Sequence, residues 1–519
     1  MHIIDLFERG ARLDPNALML SGAGGDVSYK DGRSLTIRIA RALIAKGFKP
    51  ETPFAVFGPN TGPAMLAMLG GLRAAGAWCN VNLRNGVEAN IDVLGRGVCK
   101  VLFFHSSTAD MVREILARVK TIELAVCLDA PSEFGPSLMQ FVEGHGDAPL
   151  DIVYDPRGNG FQGSTGGTTG LPKITRSPSD FLTFNTLGWM AAWNFDTPPV
   201  NLAVAPITHA AGMIALAQFP LGGMVVMMDK VDLGELLANI AKYKVTTLFL
   251  PPTIIYMLLA HPDAKTTDFS SLRYVISAAA PIAPQKIVEG LKVFGPVMAQ
   301  SFGQTEAGFP LTWMSPAETI AAASDPKLQH RLLSCGRPTM NLEAIDFMDE
   351  QGNLLPIGEK GEMVVRGPTV MQGYLNDEKA SAEARKFGWH HSGDVGYRDA
   401  DGYIYIVDRI RDMVVSGGFN IFPFEIEQVL MKHPAVQDCA VIGVPDEKWG
   451  EAVKAVVLLA PSAKASEDEL IAFAKAELGG MRAPKSVEFW ADLPRSAVGK
   501  VLKREIRAKF WSGRDRAVS

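Results

Sequence analysis

The chain has 519 residues, enough for three or so ordinary cores or for one large domain with a satellite. Hydrophobic residues at 47% and charged residues at 21% are globular proportions, which excludes disorder as the dominant state. Lys and Arg number 51 against 56 Asp and Glu, a formal net charge of −5, so a global basic field for nucleic acid is excluded.

The first residues, Met1-His2-Ile3-Ile4-Asp5-Leu6-Phe7-Glu8-Arg9, carry acids early and no basic segment before an apolar one. They predict an amphipathic helix and not a signal peptide. Phe54-Ala55-Val56-Phe57 reads as a buried strand ended by Gly58-Pro59-Asn60, then a helix over 65–75, then an apolar run at 78–81. Such alternation, repeated at 225–228, 247–250 and 274–277, predicts βαβ units in a largely parallel sheet. No formal charge lies between Asp196 and Asp229, a length that raises a membrane span. Pro198, Pro199, Pro206 and Pro220, with Thr208, His209 and Gln218, favour strand, loop, helix and strand inside a thick α/β core.

Beyond about residue 412 the texture changes to a separate α+β unit. A hairpin is expected around Ser416-Gly417-Gly418, and Pro423 opens a helix with Ile426, Val429 and Leu430 on one face. Strands are expected at 439–444 and 454–459, and Ser466 with Glu469 makes a capping box. Cys79, Cys99, Cys127, Cys335 and Cys439 form neither a disulfide framework nor a zinc site and fit buried thiols in a reducing cytoplasm.

The strongest local signal is Ser164-Thr165-Gly166-Gly167-Thr168-Thr169-Gly170-Leu171-Pro172-Lys173. Its glycines free the backbone to wrap, its hydroxyls donate and its lysine adds charge, which suits a polyphosphate. It is not a Walker loop, because the lysine stands three after the last glycine with no Ser or Thr directly behind it. Further motifs follow in order: Ala278-Ala279-Ala280-Pro281, Phe302-Gly303-Gln304-Thr305-Glu306, Gly373-Tyr374, His391-Ser392-Gly393-Asp394, 408–412, and Pro494-Arg495-Ser496-Ala497-Val498-Gly499-Lys500. Together they resemble the acyl-adenylate-forming enzymes, on their acyl-CoA and aryl-CoA synthetase branch.

The resemblance implies an α/β N-terminal domain, residues 1–409, of layered parallel-rich sheets with a small barrel-like part. A smaller mobile α+β lid, residues 410–519, would hinge near 408–412. It implies an acid–CoA ligase that uses ATP, Mg²⁺ and coenzyme A and passes through an acyl-AMP. Thr165, Gly166, Gly167, Thr168, Thr169, Gly170 and Lys173 would hold phosphates. Thr305 would meet the α-phosphate and Glu306 the metal. Ala278, Ala279, Ala280 and Pro281 would flank the adenine, and Phe302, Gly303 and Gln304 would also bind the nucleotide; Asp394 and Arg409 would hold the ribose. Lys500 would be the catalytic lysine, Arg411 the hinge, and Gly417 with Gly418 a wall of the pantetheine tunnel. Gly166 departs from the family's usual serine, and Arg411 from its usual Asp or Lys.

His209 matches a gate between the nucleotide and the acid, although a lone histidine is also a common core residue. Ala211, Met213, Gly308 and Phe309, small or apolar, suggest a pocket for a hydrophobic monocarboxylate, medium-to-long or ring-bearing. The partners expected are small molecules, with no nucleic acid and no integral membrane segment; homo-oligomerisation is left open. The alternatives are an acyl-AMP ligase that loads a carrier protein, and a non-catalytic acyl-nucleotide-binding module.

Overall fold

The computed structural model describes residues 1–165, 172–495 and 501–511. The chain divides into two compact units. The larger comprises residues 1–282, 286–345 and 365–390; the smaller comprises 283–285, 346–364 and 391–519.

Among the described residues the larger unit is built on two sheets. One has nine strands, in the spatial order Arg337–Pro338, Gly308–Met314, Met298–Gln304, Tyr274–Ser277, Thr247–Leu250, Val200–Ala203, Met224–Met227, Leu18–Gly22 and Val27–Ser28. The six from Met298–Gln304 to Leu18–Gly22 run parallel. The other sheet has seven strands, of which Asn159–Gln162, Ala77–Cys79, Pro53–Phe57, Val101–Phe104 and Leu124–Cys127 run parallel. Side chains alternate across a strand, so each sheet serves two cores. Phe54, Val56 and Phe103 enter a central core while Ala55, Phe57, Leu102 and Phe104 enter an outer one. Val225 and Met227 likewise face the central core and Val226 faces away from it.

Helices Gly62–Arg73, Phe181–Ala192 and Ala210–Gln218 contribute to that central core. They are apolar nearly all round, as helices covered on every side must be. The charge-free stretch therefore resolves into strand, helix and strand, and no helix among the described residues is long and apolar enough to cross a membrane. The helix expected over 65–75 begins earlier, at Gly62. Thr61 accepts from the Ala64 amide and a proline occupies the first turn, signals that place the start ahead of the apolar run.

In the smaller unit, Val414–Ser416 and Phe419–Ile421 form the expected hairpin. Gly417 and Gly418 both have positive φ, +59° and +81°, which the two-residue turn requires. Helix Pro423–Leu430 starts at its proline, and helix Glu467–Arg482 carries the complete Ser466–Glu469 capping box. Both share a core with the long antiparallel pair Val436–Asp446 and Gly450–Leu459. All five cysteines are free; four are buried, whereas Cys335 is only partly so because it lies in the short link before Arg337–Pro338.

Candidate active site

Parallel strands put their carboxyl ends at one edge of a sheet, and in open α/β folds that edge is where ligands bind. Three predicted groups follow strands of the nine-stranded sheet there: Ala278–Pro281 after Tyr274–Ser277, Thr305 and Glu306 after Met298–Gln304, and His209 in the loop after Val200–Ala203. Asn60 fixes that last loop. Its amide nitrogen donates to the Ala203 and Ala205 carbonyls at 3.1 and 2.9 Å, and its Oδ1 accepts from the Ile207 amide at 2.9 Å. Asn60 reads from sequence as turn residue only; its long-range role carries no local signal.

The Gly/Thr loop is closed at its base. The Thr165 amide donates to the Lys173 carbonyl at 2.8 Å, and the Ser164 amide and hydroxyl donate to Asn80 Oδ1 at 2.7 and 3.0 Å. Gly166, Gly167, Thr168, Thr169 and Gly170 lie outside the described residues. Lys173 Nζ stands 4.9 Å from the centre of the Tyr374 ring, and the Tyr374 hydroxyl donates to Glu306 Oε1 at 3.2 Å. Tyr374 thus joins the loop lysine to the Glu306 carboxylate. Gly163, also unmarked in sequence, is required because a β-carbon there would overlap the methyl group of Thr305.

His209 is partly buried, and its Nδ1 lies 3.1 Å from the Thr208 hydroxyl. Loss of hydration, with the positive charge of Arg84 second, lowers its pKa to about 4, so the ring is neutral at pH 7. Ala279 sits at φ +71°, a left-handed conformation that a residue with a β-carbon adopts only under constraint. Gly303 packs against Phe309, whose ring would lie 2.6 Å from an added β-carbon, and Phe302 and Gln304 on the same strand are partly buried. Ala211, Met213 and Phe309 of the proposed pocket, and Ala278, are all buried in the central core. Gly308 adopts φ +102°, and a β-carbon there would lie 2.6 Å from Asn185 Oδ1, the acceptor for the Phe309 amide.

In the smaller unit, Asp394 is buried and pairs with Arg409, Nε to Oδ1 at 3.2 Å, the two residues being cross-strand partners. Arg409 is thereby aimed at Asp394, while its chain neighbours are engaged elsewhere. Asp408 accepts from the amides of Phe424 and Arg409 at 2.8 and 2.7 Å, and Asp412 takes Arg507 at 2.5 Å. The Arg411 carbonyl accepts from Arg507 Nη1 at 3.1 Å. In the basic stretch after Lys500, Lys503 Nζ lies 2.8 Å from Glu427 Oε1, both largely buried. Trp449 is 45% exposed, with its ring against Gly417. Gly418 is open, with no atom near the position of a β-carbon. Lys500 lies outside the described residues.

A Gly/Thr loop closed beside a Thr-Glu turn at the strand ends is the framework of a nucleotide-dependent enzyme. The family model described as AMP-binding enzyme matches residues 7–375, and that of the AMP-binding enzyme C-terminal domain matches 425–500. The chain belongs to the AMP-binding enzymes, the acyl-adenylate-forming superfamily, on its acyl-CoA synthetase branch. It is 40% identical over 361 residues to a medium/long-chain fatty-acid–CoA ligase of Mycobacterium tuberculosis, a match that spans 68% of this chain and 62% of that protein. It is 34% identical over 509 residues to a feruloyl-CoA synthase of an Amycolatopsis species, covering 97% of this chain and 98% of the relative. Among solved structures, the amide bond synthetase McbA from Marinactinospora thermotolerans is similar with a TM-score of 0.88 at 26% identity, over 98% of this chain and 100% of that one.

Proposed function

We propose that the protein is an ATP-dependent carboxylic acid–CoA ligase that acts on a hydrophobic monocarboxylate. The observation that carries the reading is the Lys173–Tyr374–Glu306 connection, which sets a cation and a carboxylate beside the base of the Gly/Thr loop. A carboxylate oxygen of the acid attacks the α-phosphorus of ATP, and the bond to pyrophosphate breaks. The thiol sulfur of CoA then attacks the acyl carbon and AMP leaves. Making the mixed anhydride replaces a poor leaving group by a good one and divides one hard step in two.

In this reading Thr165, Thr168, Thr169 and Lys173 hold the β- and γ-phosphates, Thr305 the α-phosphate, and Asp394 with Arg409 the ribose. Asp394 has two acceptor oxygens for two hydroxyls. No group of three or more His, Cys, Asp or Glu side chains forms a metal centre among the described residues. A lone Glu306 suits Mg²⁺, which takes one or two carboxylates and completes its shell with phosphate and water oxygens. When bound, the ion would neutralise charge on the departing pyrophosphate. Lys500 stabilises the charge that develops during attack, and residues 410–519 turn about 408–412 between the half-reactions. The buried apolar set Ala211, Met213 and Phe309 supports a hydrophobic acid. A cytoplasmic setting accords with five free cysteines.

Pyrophosphate release across a panel of carboxylic acids, with and without CoA, tests the proposal. Acid-dependent release with thioester formed on adding CoA is the expected result. Release without thioester points to another acceptor, a carrier-protein thiol or an amine, and no release with any acid points to a binding module. Lys500→Ala is expected to slow adenylation about 10²–10³-fold while thioester formation from supplied acyl-adenylate persists. Equal loss in both half-reactions would remove the assignment of Lys500.

A further inference from the structure

We infer that the acid is ring-bearing and carries a hydrogen-bond-accepting oxygen (hydroxyl, ether or keto) at the end remote from its carboxylate, where the indole N–H groups of Trp189, Trp193 and Trp313 receive it. This rests on the ligase reading above and names the substrate class of the same site. Trp189 lies on helix Phe181–Ala192, Trp193 directly follows that helix, and Trp313 lies on strand Gly308–Met314. Their rings form one cluster. Trp189 stacks on Trp193 at 5.1 Å between centroids and meets Trp313 edge-on at 5.5 Å and Phe309 edge-on at 4.9 Å. Phe309 is itself a proposed pocket residue, so the cluster adjoins the proposed acyl pocket.

All three indoles are at least nine-tenths buried, with exposures of 0, 7 and 9% in chain order. None of their N–H groups has a hydrogen-bond partner among the described residues. Tyr274, Trp490 and Trp511 satisfy such groups, whereas Trp78, outside this cluster in the central core, is also buried without a partner among the described residues. The Tyr274 hydroxyl, in the same cluster at 5.8 Å from Trp313, accepts from the Asn194 amide at 2.8 Å and donates to the Asn194 carbonyl at 3.3 Å. In the smaller unit Trp490 donates to Glu488 at 2.8 Å and Trp511 to the Gly443 carbonyl at 2.9 Å. Buried donors without partners are costly, and three in one cluster beside the proposed pocket fit a place where the ligand supplies the acceptor. An indole can only donate, so the ligand group must accept. A plain alkyl chain cannot do so. An aromatic lining favours a flat ring, stacked or edge-on, over a flexible chain.

The test compares 4-methoxycinnamic acid with cinnamic acid, and both with decanoic acid, by kcat/KM for pyrophosphate release. At least a tenfold preference for the methoxy acid over cinnamic acid is expected, with decanoic acid poorest. Trp189→Phe, Trp193→Phe and Trp313→Phe keep a ring and delete the donor. At least one of them is expected to collapse the preference toward unity in protein that retains its circular dichroism. Equal kcat/KM for the matched pair in the unaltered enzyme, or a preference that survives all three substitutions, would overturn the inference. Binding of the same pair, followed by quenching of tryptophan fluorescence without ATP, needs no turnover. It separates the two readings: no pyrophosphate release with any acid defeats the ligase reading, whereas equal affinities defeat this one.

Discussion

His209 shows how much a single residue depends on its surroundings. Free histidine titrates near neutrality, but this ring is held neutral down to about pH 4. In the proposed gate position it would accept or donate a hydrogen bond at pH 7 without adding positive charge. The unfolded chain takes up a proton near 6.5 and the folded chain only near 4, so stability falls as pH is lowered from about 6.5 toward 4. The slope from this one group is at most about 1.4 kcal/mol per pH unit. His2 is lowered to about 4 as well, chiefly by burial, and contributes in the same window. Urea unfolding of the native chain and of His209→Gln across pH 4–7 therefore isolates the first histidine, since the contribution of His2 cancels in the difference. A difference that does not vary with pH would show that His209 titrates normally in the folded chain. Neither the burial nor Arg84 is legible around residue 209 in the sequence. Arg409 teaches the same lesson, because two nearby aspartates suggest local pairing while strand register delivers it to Asp394.

At the scale of elements, the short helix Lys503–Ala508 is tied down by charge. Lys503 meets Glu427 on helix Pro423–Leu430, and Arg507 meets Asp412 in the segment 408–412. Burial alone would strip the Lys503 proton; Glu427, Asp408 and Asp412 outweigh it and hold the ammonium above its ordinary pKa. Burial pushes Glu427 up despite Lys503, while for Asp412 the nearby Lys503, Arg507 and Arg411 overcome burial and lower it. Removing one partner from such a network strands the others in a poor solvent. Lys503→Met is expected to cost about 3–5 kcal/mol, read as a lowered Tm, with Lys503→Arg milder. An unchanged Tm in the methionine variant would mean that water already reaches these acids. Sequence indicated the hairpin turn, the proline-initiated helix and the capping box, because glycine, proline and serine act through bonds a few residues away. It did not reveal that Lys503 and Arg507 are buried, since a run of basic residues looks the same on a wet face and in an ion network.

For the whole molecule, the proposed turning of residues 410–519 is the property with the largest consequence. Arg411→Pro restricts the backbone at the proposed hinge position. Pyrophosphate release is expected to stay within a fewfold of the native rate while thioester formation falls at least tenfold; thioester formation at the native rate would locate the hinge elsewhere. The sequence by itself determined the family and the order of its chemical groups, and with them ATP use and the two-step logic. Phosphate-binding loops and strand-end motifs are contiguous, so composition and spacing express them. The alternation of apolar runs also announced the parallel sheets. Only the tertiary structure decided that Tyr374 bridges Lys173 and Glu306, that Asn60 and Asn80 brace the site's loops, and that three tryptophans meet with their N–H groups unpaired. Those facts join residues tens to hundreds of positions apart, and the forces involved, burial and hydrogen bonding, act through space. Two exacting glycines near the candidate site, Gly163 and Gly308, belong to the same class. What each makes room for, Thr305 or Asn185, is brought to it by the fold.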